Sequence, residues 1–376
     1  MSLFGPFHAS HASHASHASH ASHASHASHA SHASHASHAS HASHASHASS
    51  AAANAAYGYE VGLQTNAQSI VHAAGQEPIP ARAIKPLPFG SVANFDRWSV
   101  NVRHQLCGGE FFANYSVTPN KRSKSVDIKW CGRKLLSIAR PTEKQFADEL
   151  QLVHNYADQR ADRTAEILTQ LGSLSDYYSM IMGLTGSRNP YTLELIAIVS
   201  GIAGQATMMP KHLLACRRPD ELDGRMLPVI PTPGHGSFPS GHATQAHAVS
   251  HVLQELVRQN AKHFPDVEAR CRMISMTGHR IAVNRTVAGV HFPIDSWVGA
   301  ILGTQVARLI VAGATGGKTA SAKSFDFKPA HYAGRDFLHH ESVPVLDKLA
   351  GKNQTPDMDG LAWLWSRCMA EFALNA

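Results

Sequence analysis

Phe238-Pro239-Ser240-Gly241-His242-Ala243-Thr244 stands at the mouth of what the sequence predicts as a long helix, Ser240 to Phe264. A helix N-terminus leaves backbone N–H groups unpaired and carries partial positive charge, so it attracts an oxyanion. Ser240 adds a hydroxyl, Gly241 lets the backbone come close, and His242 can carry a proton near neutral pH. A plainer reading of the same residues is a serine N-cap followed by a surface histidine. The rest of the chain decides between them.

Two further groups flank this stretch. In Lys211-His212-Leu213-Leu214-Ala215-Cys216-Arg217-Arg218-Pro219, Lys211 and Arg218 are expected on one face of a helix, two turns apart, with Pro219 ending it. Arg218 offers a planar fork suited to a tetrahedral oxyanion. In Asn284-Arg285-Thr286-Val287-Ala288-Gly289-Val290-His291-Phe292-Pro293-Ile294-Asp295, Gly289 and Pro293 bracket His291, which is expected on a turn between two helices. Asp295 opens the next helix, close enough to accept a hydrogen bond from one ring nitrogen of His291. The other nitrogen then becomes a better nucleophile or ligand. Taken singly, these are also a solvated basic face and a capping Asp beside a structural turn histidine.

Taken together, Lys-x6-Arg-Pro, Pro-Ser-Gly-His and Arg-x5-His-x3-Asp, in that order, resemble the signature of the superfamily joining type-2 phosphatidic acid phosphatases with vanadium-dependent haloperoxidases. The resemblance spans Lys211 to Asp295, inside a helical core from Thr142 to Ala314. One departure is Asn284, where the third motif usually has Ser before the arginine; the position reads as peripheral. The resemblance implies a mainly α fold, a helical bundle of the acid phosphatase/vanadium haloperoxidase type. It also implies a cradle for an oxyanion. Lys211, Arg218 and Arg285 neutralise the charge, the Ser240 hydroxyl and Gly241 N–H donate hydrogen bonds, and His291 faces the central atom. His242 stands opposite as acid/base, and Asp295 supports His291.

Two chemistries fit that implied site. As a phosphatase, His291 attacks phosphorus to give a phosphohistidine, while His242 protonates the leaving alcohol and later activates water, with no metal needed. As a haloperoxidase, vanadate is bound through His291 and hydrogen peroxide is taken up with help from His242. Lys211 polarises the peroxide, and a halide is oxidised for transfer to an organic acceptor. His235, seven residues before His242, resembles an extra histidine of the algal bromoperoxidases, thought to tune the halide site; it also reads as a loop histidine without a role. Arg218-Pro219-Asp220-Glu221-Leu222 is similar to that group too, whereas His291-Phe292-Pro293-Ile294-Asp295 has the His-x-Pro-x-Asp look of phosphatases. The expectation is a vanadium-dependent haloperoxidase using bromide or iodide, with a soluble metal-independent phosphomonoesterase as the alternative. A non-catalytic oxyanion-binding protein is disfavoured, because every expected site residue type is present.

Composition is consistent with a buried core and a small anion. The chain has 376 residues, 43% of them hydrophobic, and a net charge of +6. No block of consecutive Lys or Arg suggests a nucleic-acid arm. Cys107, Cys131, Cys216, Cys271 and Cys368 are odd in number, widely spread and form no CxxC, which argues against disulfides and thiolate zinc. Met1 to Pro6 lacks the pattern of a signal peptide. Ile294 to Ala314 is very apolar but contains Asp295 and Arg308, and reads as a buried core helix. The expectation is a soluble, cytoplasmic protein with no transmembrane helix, small-molecule partners, a possible homo-oligomeric state, and neither nucleic acid nor membrane as partner.

Four segments are expected. Residues 1–50 hold a His-Ala-Ser triplet repeat from His8 to Ser49, too poor in apolar residues to fold; it is either a metal-collecting tail or a repeat expansion without a specific role. Residues 51–140 form an irregular wrapping segment with a hairpin over Ser125 to Ile138 turning at Gly132. Residues 141–315 are the catalytic core, with a long amphipathic helix over Thr142 to Leu171 capped by Gly172. The core continues with helices over Leu174–Leu184, Thr192–Met209, Ser240–Phe264, Val267–Val287 and Pro293–Ala314. Residues 316–376 are an extension ending in a helix over Asp357 to Leu374.

Overall fold

Apolar residues recur at three- and four-residue steps through much of the chain after Thr142, and in the computed structural model those stretches are helices. The structure describes residues 85–317, 321–351 and 355–374; the triplet repeat and the rest of the chain before residue 85 lie outside the described residues. The fold is mainly α-helical. Its elements belong to one unit, Leu87–Ala376.

In chain order, α1 (Val100–Phe112) leads into β1 (Tyr115–Asn120), β2 (Ser125–Trp130) and β3 (Arg133–Ala139). Then come α2 (Glu143–Asn155), α3 (Arg160–Thr169), α4 (Ser175–Met182), α5 (Pro190–Leu214) and the one-turn α6 (Pro219–Leu222). The long helices α7 (Gly241–Gln259), α8 (Val267–Val287) and α9 (Pro293–Ala314) follow. β4 (Ser321–Ala322), β5 (Phe325–Phe327), α10 (His339–Asp347), β6 (Ala350–Gly351) and α11 (Asp359–Leu374) complete the chain. β2 and β3 are an antiparallel hairpin around Cys131-Gly132, whose positive φ values of 48° and 76° suit the two-residue turn. The sheet is larger than a hairpin: its order is β1-β2-β3-β5, with β5 parallel to β3, while β4 pairs with β6.

α9 is the centre of the bundle. Every one of its residues except Arg308 is buried. α7 lies directly against it, and two glycines of α9 permit that approach. A Cβ on Gly299 would sit 2.7 Å from the Ser240 carbonyl oxygen, and one on Gly303 would run into the Thr244 carbonyl oxygen. The first turn of α7 is thereby seated beside the first turn of α9, where the Ser240 N–H donates to the Asp295 carbonyl at 3.0 Å. Two helix mouths are brought together by small residues.

The expected single helix over Thr142–Leu171 is interrupted. α2 ends at Asn155, a 3-10 turn occupies Ala157–Gln159, and α3 starts at Arg160. Anchoring to different neighbours accounts for the break. Tyr156 donates its hydroxyl to Asp336 at 2.6 Å, while Arg160 donates to the carbonyls of Leu227 at 2.8 Å and Val287 at 3.0 Å. Leu168 and Leu171, expected on the buried stripe, are each 49% exposed.

The expectation of a soluble, cytoplasmic chain without a transmembrane helix is corrected. By length and composition two stretches could cross a membrane, Pro190–Leu222 and Pro293–Ala314, each holding an 18-residue window with a mean hydropathy of 1.4. The helix expected over Thr192–Met209 is already 18 residues long, and α5 extends it at both ends to Pro190–Leu214. The second was discounted for Asp295 and Arg308, but two charges in a 22-residue helix do not bring its hydropathy below that of a span.

Glu149 of α2 reaches under the mouth of α9. Its carboxylate accepts from the Ile294 N–H at 3.0 Å and from the Gly334 N–H at 3.1 Å. Burial, opposed in part by these N–H groups, and the proximity of Asp295 and Asp336 push this carboxyl up from 4.5 to about 8. Between those values the folded state holds a proton that the unfolded chain has lost, so the stability contributed here falls as pH rises through the window. Wild type should therefore lose roughly 2–4 kcal/mol relative to Glu149→Gln between pH ~4.5 and ~8. Thermal melts of both proteins across that range measure it, and parallel curves would remove the assignment.

Candidate active site

α5 ends at Leu214, where Ala215 turns left-handed at φ 48°. The chain reverses there, so Lys211 and Arg218 do not share a helix face as expected. Arg218 is extended (φ −90°, ψ 164°) because Pro219 follows it and excludes the helical conformation. The turn brings the two cations together instead. They are 2% and 1% exposed. Lys211 Nζ donates to the carbonyls of Gly236 at 2.8 Å and Ser237 at 2.9 Å. Arg218 donates from Nε to the His235 carbonyl at 3.0 Å and from Nη1 to the Val290 carbonyl at 2.7 Å.

His291 lies on the turn between α8 and α9, where Gly289 supplies a φ of +80°. Its Nδ1 is 2.8 Å from Asp295 Oδ2. That same carboxylate oxygen accepts from the Phe292 N–H at 3.1 Å and, in a short hydrogen bond, from the Ser237 hydroxyl. A carboxylate only accepts, so Nδ1 carries the proton and Nε2 keeps its lone pair. Arg218 Nη1 stands 3.3 Å from that Nε2. Burial, with Arg218 and Lys211 alongside, pushes the imidazole well below its ordinary range and leaves it neutral.

At the mouth of α7, Ser240 Oγ accepts from the Ala243 N–H at 3.3 Å and retains its own proton to donate. Gly241 and His242, as the first helical residues, have no intrahelical acceptor for their N–H groups. The space beside Gly241 is open: a Cβ there would meet nothing closer than Thr207 Oγ1 at 4.0 Å. His242 Nε2 is 3.1 Å from the carbonyl of Gln170. A carbonyl cannot donate, so Nε2 carries the proton and Nδ1 is the nitrogen free to exchange one. Burial and then the charge of Arg285 push His242 down to about 3. An anion that offsets Arg285 would raise it again.

Arg285 completes the set from α8. It is 1% exposed, and burial lowers it to about 10, still a cation at neutral pH. Its Nη2 donates to Gln170 Oε1 at 2.6 Å. Its Nε and Nη1 have no partner among the described residues. Buried cationic donors without an acceptor are costly, and the charge of Arg285 is close enough to His242 and His291 to lower both. The charges of Lys211, Arg218 and Arg285, drawn from two motifs, thus act on both His242 and His291.

All three motifs fall inside residues 192–315, which match the family model of the PAP2 superfamily. This stretch is a PAP2-superfamily domain. Among solved structures, the chain is similar to "the first transmembrane PAP2 type phosphatidylglycerolphosphate phosphatase from Bacillus subtilis". Identity is 22%, the match covers 44% of this chain and 85% of that one, and the TM-score is 0.33. No curated protein matches the chain.

The PAP2 domain does not hold its site alone. Gln170, Glu166 and Glu149 come from the helices before it, outside every motif. Asn284, expected to be peripheral, is fully buried directly behind Arg285. Its amide donates to Glu166 Oε1 at 2.9 Å and Gln170 Oε1 at 3.2 Å, and its oxygen accepts from Arg163 Nη1 at 3.0 Å. A serine could not span these partners. Ser237 was also missed, although it immediately precedes the Phe238–Thr244 stretch. His235 lies at the rim: its ring Nδ1 is 3.2 Å from Arg218 Nη2, and it lines a surface cleft of about 530 Å³ together with Cys216, Arg217 and Glu221.

Proposed function

We propose that this chain is a phosphatase that hydrolyses phosphate monoesters through a phosphohistidine at His291. The observation that carries the reading is Arg285, buried with Nε and Nη1 unpaired beside Lys211, Arg218 and a neutral histidine. The PAP2 match over residues 192–315 supports phosphorus as the central atom.

In this reading the phosphoryl oxygens accept from Arg285 Nε and Nη1, the Ser240 hydroxyl, the Gly241 N–H and the remaining N–H donors of Lys211 and Arg218. Lys211 has one such donor left after its two carbonyl bonds. With the bound phosphate offsetting Arg285, His242 enters the step protonated on both nitrogens; His291 Nε2 attacks phosphorus, forming a P–N bond as the P–O bond to the alcohol breaks, and the departing oxygen takes the proton of His242 Nδ1. Asp295 and Ser237 hold Nδ1–H and stabilise the positive ring that results. Water then gives its proton to His242 Nδ1 and attacks phosphorus, the P–N bond breaks, and inorganic phosphate leaves.

Vanadate would meet the same donors and His291 Nε2, so the residues fit it as they fit phosphate; that makes it the natural inhibitor. The haloperoxidase expectation rested on the likeness of Arg218 to Leu222 and on His235, whose place at the rim favours neither chemistry. Hydrolysis of a chromogenic phosphate ester by the purified protein, stopped by orthovanadate, is the expected result. Halogenation of a phenol dye with orthovanadate, peroxide and bromide, without ester hydrolysis, would overturn the proposal.

A further inference from the structure

Gln170 is 1% exposed and belongs to none of the three motifs, yet it touches both halves of the site. It caps the C-terminus of α3, where carbonyls are left without intrahelical partners and carry partial negative charge. Its main-chain carbonyl receives His242 Nε2–H at 3.1 Å. Its side-chain Oε1 receives Arg285 Nη2 at 2.6 Å and Asn284 Nδ2 at 3.2 Å, and its Nε2 donates to Glu166 Oε1 at 3.1 Å. The amide orientation follows from these partners: a guanidinium can only donate and a carboxylate can only accept.

Gln170 is itself held in place. Glu166 is gripped by Arg280 in two hydrogen bonds from Nε (2.8 and 2.9 Å) and one from Nη2 (2.7 Å), and Asn284 is tied to Arg163. The guanidinium of Arg285 is therefore oriented from behind by a neutral amide fixed at both ends. Neutrality matters here. A carboxylate in this place would pair with Arg285 and cancel part of the charge meant for the ligand, whereas an amide fixes the plane and leaves the charge.

We propose that Gln170 is a positioning residue that ties the oxyanion-binding Arg285 to the acid/base His242, the side chain setting the first and the carbonyl the second. The two arms separate in experiment. Side-chain variants retain the carbonyl, so they weaken oxyanion binding and leave the proton-transfer step in place. This rests on the phosphatase reading for its substrate, but its first readout is binding of inorganic orthovanadate to the full-length protein, which needs no turnover.

Gln170→Leu should weaken vanadate binding about tenfold, the loss of one hydrogen bond to a charged group. Gln170→Glu, nearly isosteric and able to keep the Arg285 contact, should weaken it further through competition for the charge. With a phosphate ester, KM should rise in step while kcat and its pH profile stay near wild type. Vanadate affinity within twofold of wild type in both folded variants would overturn the proposal, as would a fall in kcat with KM unchanged. Gln170→Glu covers the case in which the leucine variant does not fold. Normal vanadate binding by wild type without ester hydrolysis would overturn the phosphatase reading alone.

Discussion

His291→Ala is expected to lower ester hydrolysis by on the order of 10⁴-fold or more, while the protein still binds orthovanadate. The reason is that no other group among the described residues of the site can replace Nε2. His242 presents Nδ1 but belongs to the opposite wall, and the Ser240 oxygen is committed to capping α7. Lys211, Arg218 and Arg285 remain, so the anion is still held and some residual acceleration survives. The fold should survive as well, because Asp295 keeps the Phe292 N–H and the Ser237 hydroxyl as partners. Rapid quenching with a labelled phosphate ester should trap a phosphoprotein in wild type and none in the variant. Hydrolysis within about tenfold of wild type, or label retained on the variant, would return His291 to a structural role.

The residues proposed to face the oxyanion are those whose type and spacing carry chemistry in the sequence itself. Pro-Ser-Gly-His at a helix start and Asp295 four residues after His291 are local facts, and the structure keeps them local: an N-cap at Ser240 and a 2.8 Å pair across one turn. Lys211 and Arg218 were paired for the wrong reason. Their seven-residue spacing suggests a helix face, but Pro219 forces Arg218 out of the helix and a left-handed Ala215 folds it back. What supports the site from behind was not legible. Gln170 and Glu149 lie more than a hundred residues from the groups they hold, Arg285 and Ile294, on helices whose pattern announces only packing. Asn284 was visible as a departure from the motif, but its partners were not. The four-stranded sheet was equally hidden, since β5 reaches β3 across the whole core.

Asp295→Asn is expected to lower kcat about 10³- to 10⁴-fold, and KM should stay level or fall. Asp295 Oδ2 collects His291 Nδ1–H, the Phe292 N–H and the Ser237 hydroxyl. An asparagine with its oxygen at this position keeps all three donors but loses the charge, whereas one turned the other way directs its NH₂ at Nδ1 and leaves the Phe292 N–H without its acceptor. The second orientation would move the ring proton to Nε2, the nitrogen that must attack phosphorus. The same change removes the carboxylate that stabilises the positive phosphohistidine. Binding moves the other way: with one negative charge fewer near Lys211 and Arg218, the site is more cationic and a phosphate dianion is held at least as well. A large loss in kcat without a rise in KM is therefore the signature of a carboxylate acting through His291. A rise in KM with kcat preserved would reduce Asp295 to the cap of α9, the plainer role its position at Phe292-Pro293-Ile294-Asp295 also allows.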